Sequence, residues 1–172
     1  MPFNIVRNDI TKIIADAVIN TANPNPCFVS DTDAAIYTAA GEKELLQARK
    51  VIGDIAVGEV VVTPAFKLNA QYIIHTVGPT WQGGAHGEYE ILFACYEKSL
   101  VKAKELGCNY IATGHYAKTE YSQKYGRWVL KKSNAGKKDQ SYVLWNIPKE
   151  ILEFIIFPLS DFENKDKIRE IE

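Results

Sequence analysis

Four polar side chains near the start of the chain are of types that do chemistry. Asp9 and Asp33 are carboxylates, able to accept hydrogen bonds or take a proton. Asn20 and Asn23 stand three residues apart where an apolar run ends, and each offers amide donors and an acceptor. Each also has an ordinary use. Asp9, before Ile10 and Thr11, fits a turn or a cap, and the two asparagines fit turn positions at a strand end. Thr32 or Asp33 fits the N-cap of a helix that starts at Ala34. His75 lies inside an apolar strand, which gives it a structural place. A second set comes later. Lys118, Lys124, Arg127, Lys131, Lys132, Lys137 and Lys138 form a basic stretch with Tyr116, Tyr121, Tyr125 and Trp128 interleaved. A solvated face explains it, and so does contact with RNA through charge and stacking. Gly114 fits a turn, and Asp139 fits the N-cap of a helix starting at Gln140.

Composition narrows the classes. The chain has 172 residues, 47% hydrophobic and 24% charged, ordinary for one globular domain with a core. A net charge of −1 gives no whole-protein field toward nucleic acid or membrane. The three cysteines, Cys27, Cys95 and Cys108, are odd in number and form no C-x-x-C pair. No disulfide framework and no metal site is expected, and a reducing cytoplasm is the expected location. The N-terminus lacks a basic-then-apolar signal and no apolar run reaches membrane-spanning length, so no membrane partner is expected.

The elements that must position these residues follow from the apolar pattern. Strands are expected at Phe3–Val6, within Ile13–Ile19 on Ala17, Val18 and Ile19 and ending at Asn20, around Val60–Val62 and around Tyr72–Ile74. Helices are expected at Ala34–Ala40 and, past Gly41, at Glu42–Ile52. The strongest helix is Glu88–Leu106, apolar at three- and four-residue spacing, with Gly107 where a C-terminal glycine belongs. A glycine-rich loop, Thr80–Gly87, precedes it, and a short strand, Tyr110–Ala112, follows it. Alternating strands and helices argue for an α/β layered sheet.

Residues 2–108 resemble the macro domain family, on Val6–Thr11 (VRNDIT), Ala17–Asn23 (AVINTAN), Thr32–Gly41 (TDAAIYTAAG), Thr63–Phe66 (TPAF) and Tyr72–Pro79 (YIIHTVGP), in family order. The resemblance implies binding of ADP-ribose, free or on an ADP-ribosylated protein, and in some members hydrolysis of ADP-ribosyl linkages. It implies that Asp9 accepts from the adenine amino group and that Ile10 presents its backbone amide. It puts Asn20 and Asn23 near the distal ribose and Asp33 at a candidate catalytic position there. Two departures stand against full activity. Tyr37 occupies a position where hydrolytic members carry histidine. The loop Cys27–Asp33 has no glycine, with Val29 and Asp31 where related sequences have glycines. Valine resists the positive φ that a backbone phosphate cradle needs. A carboxylate about 4 Å from a phosphate charge costs on the order of 4 kcal/mol at an effective dielectric of about 20.

Residues 107–172 are similar instead to an internal segment of the tRNA-specific 2-thiouridylases. The matching pieces are Tyr110–Ala117 (YIATGHYA), Tyr125–Lys132 (YGRWVLKK), Lys137–Leu144 (KKDQSYVL) and Phe157–Phe162 (FPLSDF), followed by Ile168–Ile171. The resemblance implies ATP as cofactor, with Gly114 at its site, and tRNA as partner, touched by Lys138, Asp139 and Gln140. The enzyme's S-G-G-x-D-S phosphate loop is absent, and its second catalytic cysteine is expected beyond residue 172. Both families carry a helix ending in Leu-Gly and a following parallel strand, so Tyr110–Ala112 is expected to pair with the first sheet.

The expected fold is therefore α/β, a mixed sheet with helices on both faces over residues 1–113. It is macro-like, lacks its final elements, and is followed by an irregular α+β extension with helices over 114–172. The expected function is a weakened ADP-ribose-binding module joined to a thiouridylase fragment. A tRNA-modification protein and a chimera performing neither function are the alternatives. Any activity would be of ADP-ribosyl hydrolase or tRNA-uridine 2-sulfurtransferase type. Apolar surface uncovered by the missing elements would favour self-association.

Overall fold

Three short strands and three helices follow the apolar pattern of the first two-thirds of the chain. The structure, a computed structural model, describes residues 10–28, 31–145 and 147–162. The strand expected at Phe3–Val6, the residues Asp9 and Val29, and Ile168–Ile171 lie outside the described residues. The chain divides into two units, one within residues 8–108 and one from residue 109 on.

In the first unit, β1 is Ala17–Thr21, β2 is Val60–Pro64 and β3 is Tyr72–Thr76. The sheet order is β1-β3-β2, with β1 parallel and β2 antiparallel to β3. It is the mixed sheet expected from the sequence. Helices α1 (Asp31–Ala40), α2 (Glu42–Ile52) and α3 (Glu88–Glu105) surround it. On α1, Asp33, Ile36, Tyr37 and Ala40 are buried at helical spacing and form one face. That face meets Leu45 of α2 and Val18 and Ile73 of the sheet in the main core. α3 packs against β2 and β3 and sends no residue into that core.

Two local expectations need correction. α1 begins at Asp31, so neither Thr32 nor Asp33 is its N-cap; Asp33 lies in the first turn, where its side chain can reach the sheet. β1 does not stop at Asn20 but runs through it to Thr21, because Asn20 and Thr21 pair with His75 and Thr76. The end of α3 is as expected. Leu106 is its C-cap, and Gly107 turns at φ +84°. The Gly107 amide donates to Lys104 O and the Cys108 amide to Ala103 O, both at 3.0 Å, the paired bonds of a Schellman motif.

The second unit is built differently. β4 (Ile111–Ala112) pairs in parallel with β7 (Ile155–Ile156), not with the first sheet as expected. The partner strand comes from the same unit, whose core gathers Ala117, Leu144, Ile155 and Phe157. Between them, β5 (Ala117–Ser122) and β6 (Arg127–Lys132) form an antiparallel hairpin. Its turn uses Gly126 at φ +60°, and Tyr121 packs edge-on against its cross-strand partner Trp128. Helical content among the described residues of this unit is three short 3-10 turns, Gly136–Lys138, Ser141–Leu144 and Leu152–Phe154.

Candidate functional site

Side-chain alternation decides which residues meet. Asn20 is paired with His75, two positions from the Val18–Ile73 pair, so both polar side chains share the face that α1 covers. Thr63, opposite Ile73, joins the same face. The result is a buried polar chain. Asn20 Nδ2 donates to Asp33 Oδ1 at 2.7 Å and lies 3.2 Å from His75 Nδ1. His75 Nε2 lies 2.9 Å from Thr63 Oγ1. With Nδ1 accepting from the amide, His75 is the neutral tautomer that donates from Nε2 to the threonine. Burial, aided by the nearby Arg49 charge, pushes its pKa down to about 3, so it stays neutral near pH 7.

Arg49 is the charge at the centre of this layer. It is fully buried on α2, one turn after the buried Leu45. Nη1 donates to Gly53 O at 3.1 Å, and Nη2 donates to Asn23 O at 3.3 Å and Pro24 O at 3.4 Å. Burial raises the Tyr37 hydroxyl pKa, against the pull of Arg49 and with the push of Asp33. These residues lie toward the carboxyl ends of the parallel strands β1 and β3, where open α/β sheets bind ligands. A cleft of about 540 Å³ lies before the amino ends of the same strands, lined by Ile14, Asp16, Asn69 and Gln71. Its lining includes none of Asn20, Asn23, Asp33, Arg49 and His75.

The sequence-derived residues fall into separate places. Asn20 and Asp33 are brought together, both buried and hydrogen-bonded to each other, so Asp33 faces the interior. Asn23 lies in the loop after β1, half-buried. Ile10 opens a 3-10 turn, Ile10–Lys12, and is exposed. Asp9 lies outside the described residues. Gly114 belongs to the second unit and is exposed, and a side chain added there would meet nothing within 4 Å. Lys138 is exposed. Asp139 accepts from the Ser133 amide at 2.7 Å and the Ser141 amide at 3.2 Å. Burial raises its pKa, but hydrogen bonds from Ser141 and Ser133 outweigh that and hold the carboxyl below its usual range. The cap expected there needs correction: the 3-10 turn starts at Ser141 with Gln140 as its N-cap, and Asp139, one residue earlier, accepts from the Ser141 amide without being the cap. Gln140 Oε1 accepts from the Tyr116 amide at 2.9 Å. Among the described residues, no three His, Cys, Asp or Glu side chains group as metal ligands would, and no helix is long and apolar enough to cross a membrane.

Three structural roles escaped the sequence reading. Arg49 was visible in principle, because it stands four residues after Leu45, where helical spacing puts a core residue. Thr63 sits in an apolar strand and carries no such mark. Glu88 opens α3 and also organises the loop before it. Its carboxylate accepts from the amides of Gln82 at 2.9 Å, Gly84 at 3.1 Å and His86 at 2.7 Å.

Comparison with known proteins follows this geometry. The family model described as Macro domain matches residues 19–116. A model described as tRNA methyl transferase HUP domain matches residues 75–172, overlapping the first. A macro domain-containing protein of Chlorobaculum tepidum is 43% identical over 116 residues, 65% of this chain and 67% of that protein. An O-acetyl-ADP-ribose deacetylase of Salmonella typhimurium is 42% identical over 104 residues, 58% of each chain. Among solved structures, an Oceanobacillus iheyensis macrodomain with ADP superposes with a TM-score of 0.57 at 34% identity, covering 61% of this chain and 58% of that one. A Trypanosoma brucei macrodomain in complex with ADP-ribose gives a TM-score of 0.54 at 29% identity, covering 62% of this chain and 44% of that one. The chain thus spans two-thirds or less of the length of these relatives. Matched by the Macro domain model over more than half of its length, the chain belongs to the macro domain family.

Proposed function

We propose that this protein is an ADP-ribose-binding module, with its ligand over the carboxyl ends of β1 and β3. One observation carries the reading. The loop after β1, which bears Asn23, is tied by the buried Arg49, and the buried chain of Asp33, Asn20 and His75 lies at the same end of the sheet. Relatives whose names specify ADP-ribose or its O-acetyl ester support the ligand class. Asp9 and Ile10 would take the adenine end, and Asn23 the distal ribose. Binding would be weakened because the stretch Cys27–Asp33 has no glycine and its last three residues already belong to α1. Asp33, held inward by Asn20, gives the site little means of hydrolysis. The natural ligand would be free ADP-ribose or an ADP-ribosylated protein, in the cytoplasm. The test is titration with ADP-ribose and adenosine. Binding of ADP-ribose that Asp9→Ala weakens by about 1.5–3 kcal/mol supports the reading. Absence of binding to the folded chain overturns it.

A second reading rests on the family model matched over residues 75–172. The second unit would be a tRNA-contacting fragment of thiouridylase origin, joined to the macro segment. The basic hairpin would meet the phosphates, and Lys138 is free to do the same. ATP would be the cofactor if that site were complete. Retention of tRNA that falls steeply with added salt would support this reading. Self-association belongs to the same proposal, since β1, at the edge of the sheet among the described residues, exposes Ile19. A monomer by sedimentation at high concentration would remove it.

A further inference from the structure

We propose that Arg49 is the positioning residue of the ligand loop: it holds the Asn23–Pro24 backbone in place so that the Asn23 side chain meets the ligand. The inference rests on the ADP-ribose reading above. Arg49 is fully buried, and a buried guanidinium is costly unless its donors are used. A packing role alone would be served as well by an apolar side chain of similar volume. The direction of its donors says what the charge does. Nη2 reaches the carbonyls of Asn23 and Pro24, two successive residues of the loop. Nη1 reaches Gly53 O, at the carboxyl end of the helix that carries the arginine. One planar group therefore joins the end of α2 to the loop after β1. Neighbouring bonds close the same junction: the Ile55 amide donates to Pro24 O at 2.9 Å, and the Ala22 amide to Thr76 O at 2.9 Å. Asn23 lies within this anchored segment, its own carbonyl held, so its reach toward a ligand depends on the two carbonyls that Arg49 holds.

A lysine keeps the charge but cannot offer the fork, since its one nitrogen cannot stand where both Nη1 and Nη2 stand. Arg49→Lys should weaken ADP-ribose binding at least fivefold. The decisive readout is coupling. Asn23→Ala should weaken the parent about tenfold but the Arg49→Lys protein less than twofold, because the Asn23 contact is already lost there. Equal effects in both backgrounds would overturn the Arg49 role while leaving the ligand reading intact. Failure of the parent to bind ADP-ribose would overturn both. Should Arg49→Lys fail to fold, the parent answers by nuclear magnetic resonance of arginine side chains. A shift of the Arg49 guanidinium signals on adding ADP-ribose, with those of Arg127 unmoved, supports the role, and unmoved Arg49 signals overturn it.

Discussion

Among the buried polar residues, His75 is one whose state can be read by titration. Its folded pKa of about 3 lies below the ordinary value of 6.5, and burial is the main cause. The unfolded chain therefore binds more protons than the folded chain between about pH 3 and pH 6.5. The His75 contribution is complete above about pH 6.5 and is lost as pH falls toward 3. Its size between pH 6.5 and 4.5 is on the order of 2 kcal/mol. Denaturant midpoints of the parent should fall across that range relative to those of His75→Gln. Parallel pH dependence in the two proteins would mean that His75 does not change its protonation on folding. The sequence placed His75 in an apolar strand but could not identify its partners. An asparagine at a strand end reads the same whether its amide meets water, a ligand or Asp33. Only the register Asn20↔His75 decides it.

At the scale of elements, helical spacing made α3 legible, and β2 and β3 were legible as continuous apolar runs bounded by turn residues. Strand order was not legible: the antiparallel place of β2 beside β3 depends on partners, not on local pattern. The hairpin of β5 and β6 was hidden in the basic stretch, though Gly126 and the Tyr121–Trp128 pair were both in view. The loop before α3 shows how a glycine run is used. Gly84 turns at φ +83°, and a Cβ there would lie 2.7 Å from the Trp81 ring. Trp81 packs edge-on to Tyr89, 5.6 Å between ring centres, and is largely exposed. Gly84→Ala should cost about 1–2 kcal/mol for the left-handed backbone. The ring, free at its outer side, should swing away. A change in Trp81 emission together with that loss of stability is the expected result. Full stability with unchanged emission would contradict the geometry of this loop.

For the whole molecule, the two units have separate cores. Among the described residues, all three α-helices belong to the first unit, and Trp128 and Trp145 belong to the second. In a Trp81→Phe protein, circular dichroism at the helix band therefore reports the first unit and tryptophan emission the second. The second unit has two two-stranded sheets and 3-10 turns over a small core, the kind of structure that is marginal by itself. Its emission should change at lower denaturant than the helix signal. Coincident transitions would mean that the molecule unfolds as one cooperative body.

The central claim is a ligand site over the carboxyl ends of β1 and β3. Its most direct test is calorimetric titration of the full chain with ADP-ribose, with adenosine and tRNA run in parallel. The account predicts saturable binding of one ADP-ribose, tighter than adenosine and weakened about tenfold by Asn23→Ala. A folded chain that gives no heat with ADP-ribose, or binds it equally well without Asn23, would contradict it.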